Sequence, residues 1–179
     1  MTKRLILVIA SVLILGVIGC TQAPTPVPMP TPTPVPTPAP NLTAEEYYQR
    51  GKDYFDKDDY EKAIGEYDEA IKIDPQHAHA YNNRSLAYAR LGQYEQAIEG
   101  YDEAIKLDPQ YAIAYYNRGF AYDELGRYER AIEDYDEAIR LNPRDADAYY
   151  MRGTAYRKLG QHEQATEDFA KAEALGYVP

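Results

Sequence analysis

His77 and His79 stand two residues apart, His162 lies far along the chain, and Asp56-Lys57-Asp58-Asp59 gathers three carboxylates within one short stretch. Imidazoles and carboxylates are what a metal centre uses, so each spacing can be tested against coordination chemistry. A zinc site needs three or four converging ligands, and no further partner stands at a suitable interval from His77 and His79. A calcium loop alternates its acids, turns on a glycine and closes on a bidentate glutamate, and the Asp56 cluster has no such glycine. It reads instead as a solvated turn in which Asp58 takes a left-handed backbone. No glycine-rich phosphate loop, no serine or cysteine nucleophile motif and no isolated carboxylate pair stands out. The sequence therefore points to a protein without metal, cofactor or catalytic centre.

The lone cysteine, Cys20, belongs to a different chemistry. Lys3 and Arg4 give a basic start, and Leu5 to Ile18 carries no charge. Residues 1–19 read as a secretory signal peptide. The apolar run falls short of the ~20 residues that a membrane span needs. Val17-Ile18-Gly19-Cys20 resembles the bacterial lipobox, with Val17 where leucine is commoner. That resemblance implies cleavage before Cys20, a diacylglycerol on its sulfur, and a lipid anchor in the cell envelope. The anchored membrane would be the outer one in a diderm cell and the outer face of the cytoplasmic one in a monoderm.

After Cys20 the chain alternates proline with threonine, valine and a few other residues from Pro24 to Pro40. Each residue before a proline is pushed toward extended geometry, so residues 20–41 form a stalk rather than a core. Fully extended, that stalk reaches on the order of 60 Å.

The elements that could position a binding surface lie in residues 42–179. Tyr47, Tyr81, Tyr115 and Tyr149 recur at an interval of 34, as do Tyr54, Tyr88, Tyr122 and Tyr156, then Ala63, Ala97, Ala131 and Ala165. Within one period, Tyr115, Gly119 and Tyr122 make one helical stripe, and Tyr128, Ala131, Ile132, Tyr135, Ala138 and Ile139 make another. Gly126 separates the two where a helix would end in a left-handed residue, and Asn142-Pro143 stops the second. Small residues at Gly119 and Ala131 let the two helices approach. Thr43 and Glu46 have capping-box spacing, so the first helix begins directly after the stalk.

A period of 34 with these aromatics, an alanine after a glycine-containing turn and a closing proline resembles the tetratricopeptide repeat. The resemblance implies an all-α, right-handed solenoid of four helix-turn-helix repeats, at 44–77, 78–111, 112–145 and 146–179. In the last copy Thr166 and Glu173 replace isoleucines of the other three, giving the final helix a polar outer face suited to a terminal repeat. Asp68-Glu69, Asp102-Glu103 and Asp136-Glu137 recur with the period, which marks them as scaffold.

In such solenoids the first helix of each unit lines the inner face. Carried onto this sequence, the groove would use Tyr48, Lys52, Asn82, Asn83, Leu86, Ile113, Tyr116, Asn117, Phe120, Tyr150 and Arg157. Asn83 and Asn117 match the asparagine ladder with which some family members grip an extended peptide, while Gln49 and Met151 interrupt it. The basic clamp that chaperone-adaptor relatives use on a terminal carboxylate is missing, with only Lys52 basic among its places.

Charge supports the same surface. The chain has 29 acidic against 19 basic residues and a formal charge of −10, which disfavours a nucleic-acid backbone as partner. Most of that excess falls on the second helices, leaving a nearly neutral groove of aromatics and amides that suits a protein or peptide. The expected protein is a monomeric scaffold or adaptor held at the membrane through its N-terminal lipid. A self-assembling spacer is the alternative, and an envelope enzyme the remote one.

Overall fold

The computed structural model describes residues 42–178, and the expected signal peptide, Cys20 anchor and proline stalk lie outside the described residues. Eight helices follow one another: α1 (Ala44–Phe55), α2 (Tyr60–Ile73), α3 (Ala78–Arg90), α4 (Tyr94–Leu107), α5 (Ala112–Glu124), α6 (Tyr128–Leu141), α7 (Ala146–Lys158) and α8 (His162–Ala174). They pair as α1–α2, α3–α4, α5–α6 and α7–α8, one pair to each 34-residue unit.

Local chemistry sets the ends. Thr43 accepts from the Glu46 backbone N–H while the Glu46 carboxylate accepts from the Thr43 N–H, a reciprocal capping box. At the helix-helix turns Gly92, Gly126 and Gly160 take φ of 74°, 72° and 76°, and Asp58 takes 59° in the first unit. Aspartate tolerates this backbone because its short side chain can bond locally, which is how the Asp56 cluster replaces the glycine turn.

Two helices of a unit meet through a small residue on one and a ring on the other. A Cβ at Gly119 would stand 2.9 Å from the Tyr135 ring and 3.2 Å from the Ala131 carbonyl, so any side chain there would push α5 off α6. The core is accordingly built of alanine and tyrosine: Ala63, Ala97 and Ala131 are fully buried, and Tyr67, Tyr101 and Tyr135 are its largest enclosed side chains. Each such ring removes ~150–250 Å² from water, which compensates for the small alanines around it.

Between units, a recurring arginine binds the stack. Arg118 donates to Asp134 of its own unit and to Asp102 of the unit before, and Arg152 does the same with Asp168 and Asp136. Arg84 reaches Asp68 alone. The repeating aspartates are thus scaffold, as their periodicity indicates.

Each first helix comes close to the first helix of the next unit, whereas among the described residues the backbones of the second helices stay further apart from one another. The stack therefore curves with α1, α3, α5 and α7 on its inner side. At the far end Thr166 and Glu173 are exposed on α8, where Ile98 and Ile139 of earlier units, at the two corresponding places, are buried. These two places on α8 are thus polar where the earlier units bury isoleucine.

Candidate peptide-binding groove

The inner side is floored by a chain of amide hydrogen bonds that crosses three units. Asn117 Nδ2 donates to Asn82 Oδ1 at 3.1 Å, Asn82 Nδ2 donates to Asn83 Oδ1 at 3.0 Å, and Asn83 Nδ2 donates to the Tyr48 hydroxyl at 3.1 Å. Asn82 is 2% exposed, so it lies beneath the groove rather than on it, and the expectation that it contacts a ligand gives way to a bracing role. A buried amide left unbonded would be costly, and here both its donor and its acceptor are used. Asn83 and Asn117 are partly exposed and each keeps hydrogen-bonding capacity beyond this chain.

Above that floor the inward side chains separate by character. Ile113 is 58% exposed, a large apolar group facing solvent. Lys52 sits over the Tyr48 ring at 5.8 Å and Arg157 over Phe169 at 5.5 Å. Lys158 pairs with Asp123, which is buried, and also lies over Tyr128 at 5.1 Å. Opposite charges on the groove are thereby largely spent on each other or on rings, which preserves the near neutrality of the surface.

His77 and His79 are engaged within the fold. His77 Nδ1 accepts from the Ala80 N–H at 3.2 Å and caps α3, while its ring packs on Tyr48 at 4.8 Å. His79 Nδ1 is hydrogen-bonded to the Tyr111 hydroxyl at 2.8 Å. Among the described residues, no group of three histidine, cysteine or acidic side chains converges as a metal site would.

Leu86, Tyr116, Asn117 and Phe120 come together around a cavity of ≈ 310 Å³ between the second and third units. Its other walls are Ala89, Arg90, Tyr94 and Tyr101. Tyr94 and Tyr101 belong to α4, a second helix, and so lie outside the first-helix positions expected to line the groove. The signal was present in the aligned columns, where Ala89 of unit 2 stands at the place of Phe55.

Tyr150 behaves differently. Its ring stacks on Tyr177 with centroids 4.1 Å apart and planes 18° from parallel, and both line a second cavity with Phe169, Glu173, Gly176 and Val178. Gly176, at φ 98°, turns the chain back so that Tyr177 covers the last inward tyrosine. The cavity that Tyr150 lines, ≈ 590 Å³, is larger than the one between the second and third units.

A curved stack of paired helices with an aromatic and amide inner face defines a class of protein-interaction scaffolds. The tetratricopeptide-repeat profiles match residues 51–92, 86–126, 112–145 and 134–167, and the chain belongs to the tetratricopeptide-repeat family. It is similar to the crystal structure of MamA, with 32% identity over 74% of this chain and 77% of that one and a TM-score of 0.71. MamA from Desulfovibrio magneticus RS-1 gives 28% identity over 74% and 75%, with a TM-score of 0.70. The Arabidopsis OM64 TPR domain gives 30% identity over 64% and 94%, with a TM-score of 0.62. No curated protein matches the chain by sequence.

Proposed function

We propose that this chain is a lipid-anchored scaffold of the bacterial cell envelope that holds a protein or peptide partner in the concave groove of its repeats. The observation that carries the reading is the cluster of Leu86, Tyr116, Asn117 and Phe120 around an open cavity on the inner side of the stack. Flat rings supply contact area at low entropic cost, and Asn117 offers an amide that can bond to a peptide backbone. The lipobox-like Val17-Ile18-Gly19-Cys20 supports the anchor, and the proline stalk supports a domain held away from the membrane surface. The polar outer face of α8 works against the alternative of end-to-end self-assembly.

Site-specific photocrosslinking in intact cells tests the reading. A crosslinker at Phe120 should trap a partner protein, and one at Glu133 on the convex side should not. Crosslinks confined to Glu133, or a partner trapped equally from both faces, would remove the groove as the site.

A further inference from the structure

The last unit gathers three rings and a carboxylate around one cavity. Tyr150 stacks on Tyr177 with centroids 4.1 Å apart, and Phe169 stands 5.4 Å from Tyr150. All three line the ≈ 590 Å³ cavity, with Glu173, Gly176 and Val178 as its other walls. Glu173 holds the column that carries Ile71, Ile105 and Ile139 in the other units, so a charge stands where the stack elsewhere places an apolar side chain. It is exposed, and no cation lines the cavity beside it. Among the described residues, the one ion pair of α8 runs from Arg152 to Asp168, so the Glu173 carboxylate has no cation of its own.

Unit 1 shows what the equivalent tyrosine does with a cation in reach. Lys52, one turn on from Tyr48, holds its ammonium 5.8 Å from the centre of the Tyr48 ring. In unit 4 the corresponding place is Thr154, which turns its hydroxyl back on the Tyr150 carbonyl at 3.0 Å. Arg157 lies over Phe169 at 5.5 Å but is not a wall of the cavity. Tyr177 spends one face on Tyr150, and among the described residues neither a second ring nor a cation covers the other. Desolvation, Tyr150 and the charge of Asp147 each raise the Tyr177 phenol above its ordinary value, which marks Asp147 as a second carboxylate near this ring. Glu173 and Asp147 against the single Arg157 leave the local balance negative, in a chain whose formal charge is already −10. Negative charge beside an open aromatic face suits a cation.

We propose that this cavity receives a lysine or arginine side chain of the groove-bound partner, its charge set on the open face of Tyr177 and paired with Glu173. The apolar stem of the guest lies along Phe169 and Val178, as long basic side chains cover apolar surface while their heads reach a polar partner. The volume lies within the range of small-ligand pockets and admits such a side chain. Cation–π contacts at exposed sites are modest, so the cavity selects among partner sequences rather than supplying most of the affinity. This assignment rests on the groove reading above and specifies the charge that the partner carries at the end nearest Tyr150.

The test titrates the full chain, kept in mild detergent, with N-acetyl-lysinamide, N-acetyl-argininamide, N-acetyl-norleucinamide and choline, following the Tyr150, Tyr177 and Phe169 ring signals by NMR. Both basic probes should shift these signals saturably. Norleucine keeps the lysine stem without its charge, so it should bind about threefold to tenfold more weakly. Glu173→Gln is an exposed, shape-preserving change that should fold normally and narrow that preference to about twofold or less. Tyr177→Leu keeps apolar bulk, removes the ring face and should narrow it likewise. Glu99→Gln makes the same change of charge on α4, away from the cavity, and should leave the preference intact. Norleucine binding as tight as lysine, a preference unchanged in Glu173→Gln, an equal loss in Glu99→Gln, or saturable shifts by choline but by neither basic probe would each overturn the proposal. Crosslinks at Phe120 alongside such a result would leave the groove standing and remove only the cation site.

Discussion

The Arg118 guanidinium grips Asp134 with a two-pronged fork, Nε to one carboxylate oxygen at 2.8 Å and Nη2 to the other at 2.6 Å. The pair joins α5 to α6, and a third prong reaches Asp102 in the preceding unit. Asp134 is 5% exposed, and burial pushes its carboxyl up against the pull of Arg118. The desolvation cost is thus comparable with the attraction, and the pair serves more to fix the stagger of units than to add net stability.

Removing one partner leaves the other charged and enclosed. Arg118→Ala should therefore cost about 3–5 kcal/mol in urea unfolding, well above an exposed pair such as Arg130–Glu133. A loss below about 1 kcal/mol would mean that Asp134 rehydrates freely and that the fork is decoration.

Unit 2 lacks this fork because Gly100 stands where Asp134 and Asp168 stand in later units, and Ser85 replaces the glycine of the first helix. The exchange is coupled in space. A Cβ on Gly100 would overlap the Ser85 hydroxyl, while that hydroxyl and Arg84 Nε are both buried without partners. Gly100→Asp alone should destabilise by about 1–3 kcal/mol through overpacking. Combined with Ser85→Gly it should regain most of that loss as the new carboxylate meets Arg84, giving a coupling of about 1 kcal/mol or more in a double-mutant cycle. Additive effects would show that the two sites do not share the space.

Much of the scaffold was legible because its signals are local. The Thr43–Glu46 box, the turn at Gly126 and the close approach at Gly119 each depend on residues within a turn or on a fixed 34-residue column. The groove was legible only in part. Asn117 bonds to Asn82 and Asn83 to Tyr48, which are steps of 35 residues, and Asp123 reaches Lys158 by the same step. Side chains on a helix lean along its axis, so neighbouring first helices meet one residue out of register, and aligned columns mispair them. For that reason Asn82 reads as a ligand contact and is found as a brace. The arginine column at 50, 84, 118 and 152 was equally visible, but only packing shows that it faces aspartates on both sides.

The anchor gives a prediction independent of the groove. Cells grown with labelled fatty acid should incorporate it into the wild-type chain, and Cys20→Ala should abolish both the label and normal processing, leaving an uncleaved precursor on a gel. An unlabelled wild-type chain that is nonetheless processed would point to ordinary secretion.

The tyrosines set the alkaline limit of the fold. Burial pushes Tyr111 and Tyr116 up to about 12 and raises Tyr67, Tyr101 and Tyr135 further. Below about pH 10, the ordinary value, folded and unfolded chains both keep these phenols protonated and stability is unaffected by them. As pH rises past that point the unfolded chain loses protons that the native chain retains, so the unfolded state binds fewer and stability falls with pH. The loss runs from about pH 10 toward 12, the folded values cited for Tyr111 and Tyr116. Urea midpoints should accordingly drop steadily across that window, and phenolate absorbance should appear in two phases. Exposed tyrosines should ionise first, and the buried ones only together with the loss of helical circular dichroism. A single phase near the ordinary value, with the helical signal intact, would mean that the tyrosine core admits water and that the packing of Tyr67, Tyr101 and Tyr135 is looser than their burial implies.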